Sequence, residues 1–353
     1  MGNSDLDDPK LFQQYDPGNM LERIHEIPWQ CQQAWQEAMG FNLPADYSKV
    51  NKVVILGMGG SAIGGDLLRS LTLSEAKLPI FIQRDYDLPD FIDAETLVIA
   101  SSYSGDTEET LTAFNQALGK GVKKLAVTTG GKLKDIVEKE NIPVFNIAYK
   151  AQPRAALGFS FLPVLCFLQK LGFIGDKSAD VAETITVLQN LSIKIDEKVK
   201  ANPAKQMAQR LYSRLSVIYG AGILAEVAHR WKTQINENSK AWAFYEVFPE
   251  LNHNAVVGYQ FPGELAGKVK VVLLRAPSLN QRVQLRYGVT CRLLEEAGVA
   301  YDYVDSEGKS LLSQMMSLVL FGDYVSYYLA ILYKVDPSPV EVITYLKEQL
   351  TKG

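Results

Sequence analysis

The stretch V-V-I-L-G-M-G-G-S-A-I-G-G-D-L-L, residues 53–68, decides the fold of this chain. Its first four residues form a continuous apolar run, which is typical of a parallel strand that is buried on both faces. The run enters a glycine-rich turn, and the turn opens into a helical pattern. A buried strand, a tight turn and a helix predict a doubly wound α/β fold, in which ligands bind beyond the carboxyl ends of the strands.

The same order of strand and helix returns along both halves of the chain. Apolar runs that predict further strands lie at residues 80–83, 97–100, 125–128 and 144–147, and then at 215–219, 269–274 and 301–304. Residues 215–222 repeat the apolar run and glycine turn of residues 53–60, which indicates an internal duplication. Residues 177–202 predict one long helix that connects the two halves. We therefore expect an N-terminal helical arm at 1–45 and two α/β domains, at 46–175 and at 176–353, the second of which includes a C-terminal helix.

The composition is that of an ordinary globular protein, with 47% hydrophobic and 22% charged residues in a chain of 353. The formal net charge of -4 offers no basic field for nucleic acid or anionic lipid. Cys31, Cys166 and Cys291 are widely separated and lie in apolar settings, so we expect buried free thiols in a reducing compartment. The first residues show no basic segment followed by an apolar run, so the cytoplasm is the expected location.

Residues 311–333 resemble a membrane span in their apolar character. Gln314, Gly322 and Asp323 interrupt the run before it reaches the about 20 apolar residues that a bilayer needs. Asp323 in lipid would also be costly. We therefore predict a buried helix of a large domain.

A second motif, S-S-Y-S-G-D-T-E-E-T-L at residues 101–111, follows a predicted strand and leads into a helix. The first N–H groups of a helix lack intrahelical partners and lie at the positive end of its dipole, so such a loop binds anions. We expect the hydroxyls of Ser102, Ser104 and Thr107 to hold a phosphate there. The alternative is an ordinary capped helix with Ser104 or Asp106 as its N-cap.

The glycine-rich turn leaves a dinucleotide site open as an alternative, because residues 57–62 fit the loose pattern G-x-G-x-x-A and Asp85 follows the next strand. Two features favour a compact sugar phosphate instead. Ser61 lies in the turn, and the serine loop follows a neighbouring strand. Two phosphate-type loops on neighbouring strands suit a small ligand better than an extended dinucleotide.

Three side chains in polar settings are candidates for acid–base chemistry. Arg154 precedes an apolar helix, where a cation opposes the helix dipole and favours a nearby anion; a solvated arginine is the alternative. Glu237 lies near the end of a predicted helix, where a carboxylate is unfavourable with the dipole. His253 lies between two asparagines, and a structural role with satisfied hydrogen bonds is its alternative. His229 lies on an apolar helix and is expected in the core.

Lys347 is a further candidate, in the terminal helix. It stands four residues after Ile343 and seven after Val340, which predicts a place on or beside the inward apolar face. The alternative is a lysine whose stem covers apolar surface while its ammonium group reaches solvent.

Together these motifs resemble the bifunctional phosphoglucose/phosphomannose isomerases, a family built from two sugar-isomerase (SIS) domains. The motifs that carry the resemblance are Gly59-Gly60-Ser61, residues 102–107, Pro153-Arg154, N-E-N-S-K at 236–240, N-H-N at 252–254 and the terminal residues 336–347. They occur in the family's order across nearly the whole chain. The glycine turn and the serine loop are common to SIS proteins, whereas the motifs of the second half are narrower. The resemblance implies two doubly wound, flavodoxin-like SIS domains.

The resemblance further implies an enzyme that interconverts glucose 6-phosphate and mannose 6-phosphate with fructose 6-phosphate through a cis-enediolate, in glycolysis and gluconeogenesis. In this scheme Glu237 moves the proton between C1 and C2, His253 opens the sugar ring, and Arg154 stabilises the enediolate. Lys347 contacts the ring oxygen. No cofactor is implied, and we find no set of metal ligands in the sequence. The residues implied to bind the phosphate are Gly60, Ser61, Ser102, Ser104 and Thr107.

A homodimer with shared active sites is also implied, in which His253 enters the partner subunit's site while Glu237 stays in its own. We expect Tyr324, Tyr327 and Tyr328 to belong to the apolar surface of that dimer, although a buried helix has the same pattern.

Two other functions remain open. One is a catalytically silent SIS protein that binds a sugar phosphate and signals its presence; the other is an SIS isomerase of an amino sugar or a pentose phosphate.

Overall fold

The computed structural model describes residues 6–350 and 352, which divide into two compact units. The first unit comprises Glu26–Gln189 and Gly308–Met315. The second unit comprises Asn190–Glu307, together with the described residues up to His25 and from Met316 onward. Each unit contains one parallel sheet. The domain boundaries at residues 45 and 175 stay a prediction from the sequence.

Helices make up most of the regular structure. The helices are α1 (Pro9–Tyr15), α2 (Met20–His25), α3 (Ile27–Gly40), α4 (Gly59–Thr72), α5 (Glu108–Leu118), α6 (Gly131–Lys139), α7 (Leu157–Lys170), α8 (Ser178–Ile195), α9 (Pro203–Leu211), α10 (Ala225–Ser239), α11 (Gln281–Glu296), α12 (Leu311–Tyr333) and α13 (Glu341–Leu350). The strands are β1 (Lys52–Leu56), β2 (Ile80–Gln83), β3 (Thr96–Ser101), β4 (Lys123–Thr128), β5 (Val144–Asn146), β6 (Leu215–Ala221), β7 (Ala243–Phe248), β8 (Val269–Arg275) and β9 (Ala300–Asp305).

The sheet of the first unit has the strand order β2-β1-β3-β4-β5, and every pairing in it is parallel. All residues of β3 are buried, as are those of β1 after Lys52, which agrees with their continuous apolar runs. Leu56 pairs with Ala100, so β1 and β3 end side by side. The glycine turn after β1 and the serine loop after β3 therefore begin at the same edge of the sheet, where the strand order reverses.

The sheet of the second unit has the order β7-β6-β8-β9, again parallel throughout. In both sheets the first strand of the series lies between the second and the third. This shared order confirms the internal duplication, and the parallel α/β architecture confirms the predicted fold class. The predicted strands are present in both sheets.

Strand β7 is the one that the apolar pattern missed. Only its end residues, Ala243 and Phe248, are buried, while Phe244 and Tyr245 are exposed. It pairs with β6 on one side and forms an edge of the sheet. An edge strand that is open on one face need not be continuously apolar, so no run marked it.

The prediction of one long helix at 177–202 is wrong. Helix α8 ends at Ile195, and a turn leads into α9. Asn202 fixes the break: its side-chain amide donates to the carbonyl of Asp196 (2.8 Å) and its oxygen accepts from the backbone N–H of Lys205 (2.9 Å). Pro203 then occupies the first turn of α9, where its missing N–H has no cost.

By length and composition, helix α12 could cross a membrane. It is the segment whose sequence resembles a membrane span. Its most apolar 18-residue window has a mean hydropathy of 1.5 and is entirely buried within the protein. This burial confirms the predicted core helix. Tyr324, Tyr327 and Tyr328 are each 0% exposed, so the prediction that they form a dimer surface is wrong.

Candidate functional site

The serine loop of the first unit leads from β3 into α5 without a side-chain cap. Thr107 is the N-cap residue, with φ -71° and ψ 117°, and its side chain makes no capping hydrogen bond. The capping alternative, with Ser104 or Asp106 as the N-cap, is therefore wrong. Asp106 instead accepts a hydrogen bond from the backbone N–H of Lys132 at the start of α6 (3.1 Å). The positive end of the α5 dipole is thus not occupied by a capping oxygen, as an anion site requires.

Hydrogen bonds join the serine loop to the glycine turn. The Ser102 hydroxyl donates to the Thr107 hydroxyl (3.1 Å), and the backbone N–H of Tyr103 donates to the hydroxyl oxygen of Ser61 (3.1 Å). Ser61 and Ser102 are buried, Thr107 is half-buried, and Ser104 is exposed. The structure therefore brings the predicted phosphate-binding hydroxyls to one edge of the first sheet.

Glycine is required at two positions of this edge. Gly105 has φ +74°, and a Cβ there would lie 1.8 Å from the carbonyl oxygen of Gly130. A Cβ on Gly60 would lie 2.9 Å from the backbone nitrogen of Arg154. The close approach packs the backbone of Arg154 against the glycine turn. Arg154 is only 3% exposed, so the alternative of a solvated arginine is wrong.

In the second unit, Glu237 lies near the end of α10. Four buried side-chain hydrogen bonds, called the ladder below, join that helix to α12. Two of them meet at Asp323, which accepts from Arg230 (2.7 Å) and from the Gln234 amide (2.9 Å). Two further rungs reach Ser326: the Asn238 amide donates to its hydroxyl (3.0 Å), and the hydroxyl of Ser239 donates to its carbonyl (2.7 Å). Every side chain of the ladder is buried.

Glu237 itself faces a cavity of about 630 Å³ in the second unit. Helix α10 ends at Ser239 and is capped by Lys240, which has φ +55° and donates from its ammonium group to the carbonyl oxygen of Glu237. The cavity places Glu237 opposite the start of α13. Its lining residues are Asn236, Glu237, Lys240, Val335, Asp336, Pro339, Val340, Glu341, Val342 and Ile343. Sequence reasoning missed Asn236 and Lys240 as cavity residues, although both belong to the N-E-N-S-K motif that drew attention to Glu237.

His253 ends a short 3-10 helix that follows β7. The two asparagines beside it fix the backbone: Asn252 donates to the Thr290 hydroxyl of α11 (2.8 Å), and Asn254 donates to Glu250 (2.9 Å). The His253 side chain is exposed and makes no hydrogen bond to the residues that the structure describes. A structural role with satisfied hydrogen bonds is therefore wrong, and the imidazole is presented to solvent.

His229, expected in the core, is half-buried. Its ring stacks on Tyr245 with centroids 4.6 Å apart, and its Nδ1 lies 3.4 Å from a carboxylate oxygen of Glu226. The ring contact identifies a packing role at the surface of the second sheet. The core prediction is therefore only partly correct.

Helix α13 contradicts the placement of Lys347 beside an inward apolar face. All ten residues of α13 are exposed, including Val342 (82%) and Leu346 (57%). The periodic pattern correctly marks an amphipathic helix, but it does not say what covers the apolar face. Each residue of α13 is exposed in the described chain, so Lys347 does not lie beside a buried apolar face.

The three cysteines are buried free thiols, as the sequence predicts. Burial raises the pKa of Cys166 to about 11 and that of Cys31 to about 12. Both thiols are therefore protonated at neutral pH, and the thiolate is the nucleophilic form. Neither residue has the character of a catalytic nucleophile.

Similarity to known proteins covers both units. Residues 200–350 match the family model of the bacterial phospho-glucose isomerase C-terminal SIS domain. The chain is 43% identical to a bifunctional phosphoglucose/phosphomannose isomerase of Caldicellulosiruptor bescii, over 94% of this chain and 99% of the relative. A bifunctional phosphoglucose/phosphomannose isomerase of Aquifex aeolicus is 38% identical, over 88% of this chain and 94% of the relative. The crystal structure of a hypothetical protein from Thermus thermophilus shares the fold, with a TM-score of 0.72 and 17% identity over 98% of this chain and 93% of that chain.

The N-E-N-S-K and N-H-N motifs lie in the part of the chain that matches the C-terminal SIS family model. Identity of 43% over nearly the whole length extends far beyond these motifs. This chain belongs to the family of bifunctional phosphoglucose/phosphomannose isomerases.

Proposed function

We propose that this protein interconverts glucose 6-phosphate and mannose 6-phosphate with fructose 6-phosphate by proton transfer through a cis-enediolate. The observation that carries the proposal is the carboxylate of Glu237, half-buried on the wall of a cavity of about 630 Å³ at the end of α10. The family relationship supports the substrate class, because the curated relatives are named for both activities.

The phosphate group of the substrate is assigned to the first unit. The uncapped N-terminus of α5 offers backbone N–H groups and the positive end of a dipole. Hydroxyl groups around it add donors that strengthen when the acceptor is charged. The residues assigned to the phosphate are Gly60, Ser61, Ser102, Ser104 and Thr107.

The proton transfer is assigned to Glu237. Its carboxylate takes the proton from C2 of the open-chain aldose, which leaves an enediolate. A proton passes from O2 to O1, and the carboxylate returns its own proton to C1 to give the ketose. Arg154 stabilises the negative charge that develops on the enediolate oxygens. The oxidation at C2 and the reduction at C1 balance within one substrate molecule, so the proposed reaction consumes no oxidant or reductant. We propose it without a cofactor or metal.

Ring opening is assigned to His253, with Lys347 in contact with the ring oxygen. An imidazole titrates near neutral pH, so it can both give a proton to the ring oxygen and take one from O1. Exposure of the His253 side chain supports this role, because a substrate or a partner subunit can reach the imidazole. Lys347 is likewise exposed.

We further propose a homodimer in which His253 serves the active site of the partner subunit. The side chains of Tyr324, Tyr327 and Tyr328 do not support the dimer, since they are buried. Support comes from exposed apolar side chains close to His253 in the sequence, Val257 (81%) and Phe261 (83%), and from Leu285 (61%) on α11. Exposed apolar side chains are common at interfaces, so those near His253 in the sequence suit contact with a second copy of the chain.

The test is a coupled assay of glucose 6-phosphate and mannose 6-phosphate against fructose 6-phosphate in the presence of EDTA, at a temperature where the treated protein stays folded. We expect both aldoses to be converted. Loss of activity with EDTA in the folded protein would overturn the metal-free mechanism. A protein that binds the hexose phosphates without turning them over would instead be the silent, signalling SIS protein.

The expected setting is the cytoplasm, where the reaction serves glycolysis and gluconeogenesis. Three buried, unpaired thiols support a reducing compartment. Fractionation of the source cells, followed by the isomerase assay on each fraction, tests this location.

A further inference from the structure

A cluster of ionisable side chains lies in the second unit, apart from the residues assigned to the reaction. His25 ends α2, and Asp196 and Glu197 lie in the turn between α8 and α9. The imidazole Nε2 of His25 is 3.6 Å from Oδ2 of Asp196 and 3.5 Å from Oε2 of Glu197. The three atoms lie within 4.8 Å of one another. One nitrogen and two carboxylate oxygens therefore converge on one point from two distant parts of the chain.

These spacings are not those of hydrogen bonds. An N–H···O bond has a donor–acceptor distance of about 2.7–3.2 Å, and both separations in this cluster are longer. Nε2 of His25 and Oε2 of Glu197 are buried atoms without a hydrogen-bond partner among the described residues. A buried polar atom without a partner is costly and calls for an explanation.

The same spacings are close to those of ligands on one tetrahedral metal ion. Zinc binds nitrogen and carboxylate oxygen at about 2.0–2.2 Å, so two ligand atoms at a tetrahedral angle lie about 3.3–3.6 Å apart. The separations of 3.6 and 3.5 Å from Nε2 of His25 to the two carboxylate oxygens match two edges of such a tetrahedron. The imidazole nitrogen therefore lies at ligand spacing from both carboxylates.

Neighbouring groups hold the three side chains in this arrangement. The other oxygen of Asp196 accepts from the backbone N–H of Lys198 (2.9 Å), which leaves Oδ2 for the cluster. The ring of Tyr324, fully buried in α12, lies 5.5 Å from the imidazole ring. The ammonium group of Lys198 is 3.8 Å from the second oxygen of Glu197, but its side chain is 85% exposed and can turn away.

We propose that His25, Asp196 and Glu197 bind a divalent transition-metal ion, zinc foremost, which fastens α2 to the turn before α9. The three side chains are each about a fifth to a third exposed, so solvent can supply a fourth ligand. The ligands stand far apart in the sequence, and a metal that closes a long loop restricts the unfolded chain strongly. The ion therefore stabilises the fold of the second unit and takes no part in the isomerisation.

The competing explanation is an ion pair between a protonated imidazole and the two carboxylates. Such a pair needs no metal, so it predicts a Tm that zinc does not change. A zinc site instead predicts that zinc raises Tm, and more at higher pH, because metal ligands must be deprotonated. The response of Tm to zinc therefore separates the two.

The experiment uses the full-length protein, stripped with EDTA and dialysed. Isothermal titration with Zn²⁺, and thermal melts with Zn²⁺, Mg²⁺ and Ca²⁺, measure binding and stability at pH 6 and pH 8. We expect a zinc site whose occupation raises Tm by at least ~3 °C at saturation, more at pH 8 than at pH 6. Mg²⁺ and Ca²⁺, which prefer oxygen ligands, are expected to leave Tm unchanged. Co²⁺ supplies a spectroscopic readout, since tetrahedral Co²⁺ has a strong visible band.

Single substitutions of the proposed ligands test whether they bind the zinc ion. His25→Gln and Glu197→Gln are each expected to lose one bound zinc per chain and the visible Co²⁺ band. Glu22→Gln, an exposed carboxylate on the same helix α2, is the matched control and is expected to bind as the wild type does. Zinc binding that survives both cluster variants, or a wild type without a zinc-dependent rise in Tm, would overturn the proposal. Using two variants guards against failure of one of them to fold.

Discussion

At the scale of single residues, Glu237 is the side chain whose replacement tests the chemistry most directly. Glu237→Gln keeps the size and polarity of the side chain but cannot accept the proton from C2. We expect kcat to fall by at least ~10²-fold in both directions, with KM little changed, because the phosphate contacts remain. Steady-state kinetics and the exchange of the C2 hydrogen with solvent measure the effect.

The matched control is Glu296→Gln, since Glu296 is an exposed carboxylate near the end of another helix of the second unit, α11. This variant is expected to have wild-type kinetics. If Glu237→Gln exchanges the C2 hydrogen at the wild-type rate, the base is another residue.

The phosphate loop also belongs to the residue scale. The double variant Ser104→Ala, Thr107→Ala removes two hydroxyl donors, and each hydrogen bond to a charged group is worth about 1.5–3 kcal/mol. We expect KM for the hexose phosphates to rise by at least ~10-fold. Ser74→Ala, an exposed serine elsewhere in the first unit, is expected to leave KM unchanged. An unaltered KM in the double variant would assign the two hydroxyls to the structure of the loop alone.

At the scale of the elements, the ladder between α10 and α12 decides where Glu237 stands. Asp323 accepts from both Arg230 and Gln234, and Arg230 and Asp323 are each only 1% exposed. Asp323→Ala leaves the buried guanidinium without this carboxylate, so we expect the free energy of unfolding to fall by about 3–5 kcal/mol. Urea denaturation, followed by fluorescence, measures the loss.

The control for the ladder is the exposed pair of Arg275 with Asp305, which also joins two elements, β8 and β9. Asp305 is largely exposed. Asp305→Ala is therefore expected to cost no more than about 1 kcal/mol. Equal losses in the two variants would mean that burial does not set the strength of the ladder.

At the scale of the whole molecule, the proposed sharing of sites has a test by mixing. Glu237→Gln and His253→Asn proteins, each expected to be nearly inactive, are co-refolded in equal amounts. In a mixed dimer with shared sites, one active site contains both substitutions and the other contains neither. Half of the dimers are mixed and half of their sites are intact, so activity is expected to return to about a quarter of the wild type.

The result is compared with each variant refolded alone and with the untreated wild type. If both residues act within one chain, every active site contains one substitution, and the mixture stays as inactive as each variant alone. That outcome removes the shared site and leaves the isomerase proposal in place. Sedimentation of the mixture shows whether dimers have formed at all.

Much of the fold could be predicted because burial leaves a local mark. Strands β1 and β3 lie inside a parallel sheet, so both of their faces are covered and their sequences are continuously apolar. The glycine turn and the serine loop are equally local, because Gly59 (φ +48°) and Gly105 (φ +74°) need a backbone conformation that other residues rarely adopt. Strand β7 was missed because Glu246 interrupts the apolar residues of this edge strand.

The candidate site also has features that local sequence patterns predict and features that they do not. The doubly wound architecture, the duplication, the serine loop and the residue types suited to the chemistry could be predicted, because each depends on short-range patterns of polarity and backbone conformation. Long-range packing sets the rest: Arg154 is buried, Asp323 anchors the helix of Glu237, the tyrosines of α12 face the core, and α13 is exposed. A pattern shows which face of a helix is apolar, whereas what covers that face depends on residues that are far away in the chain.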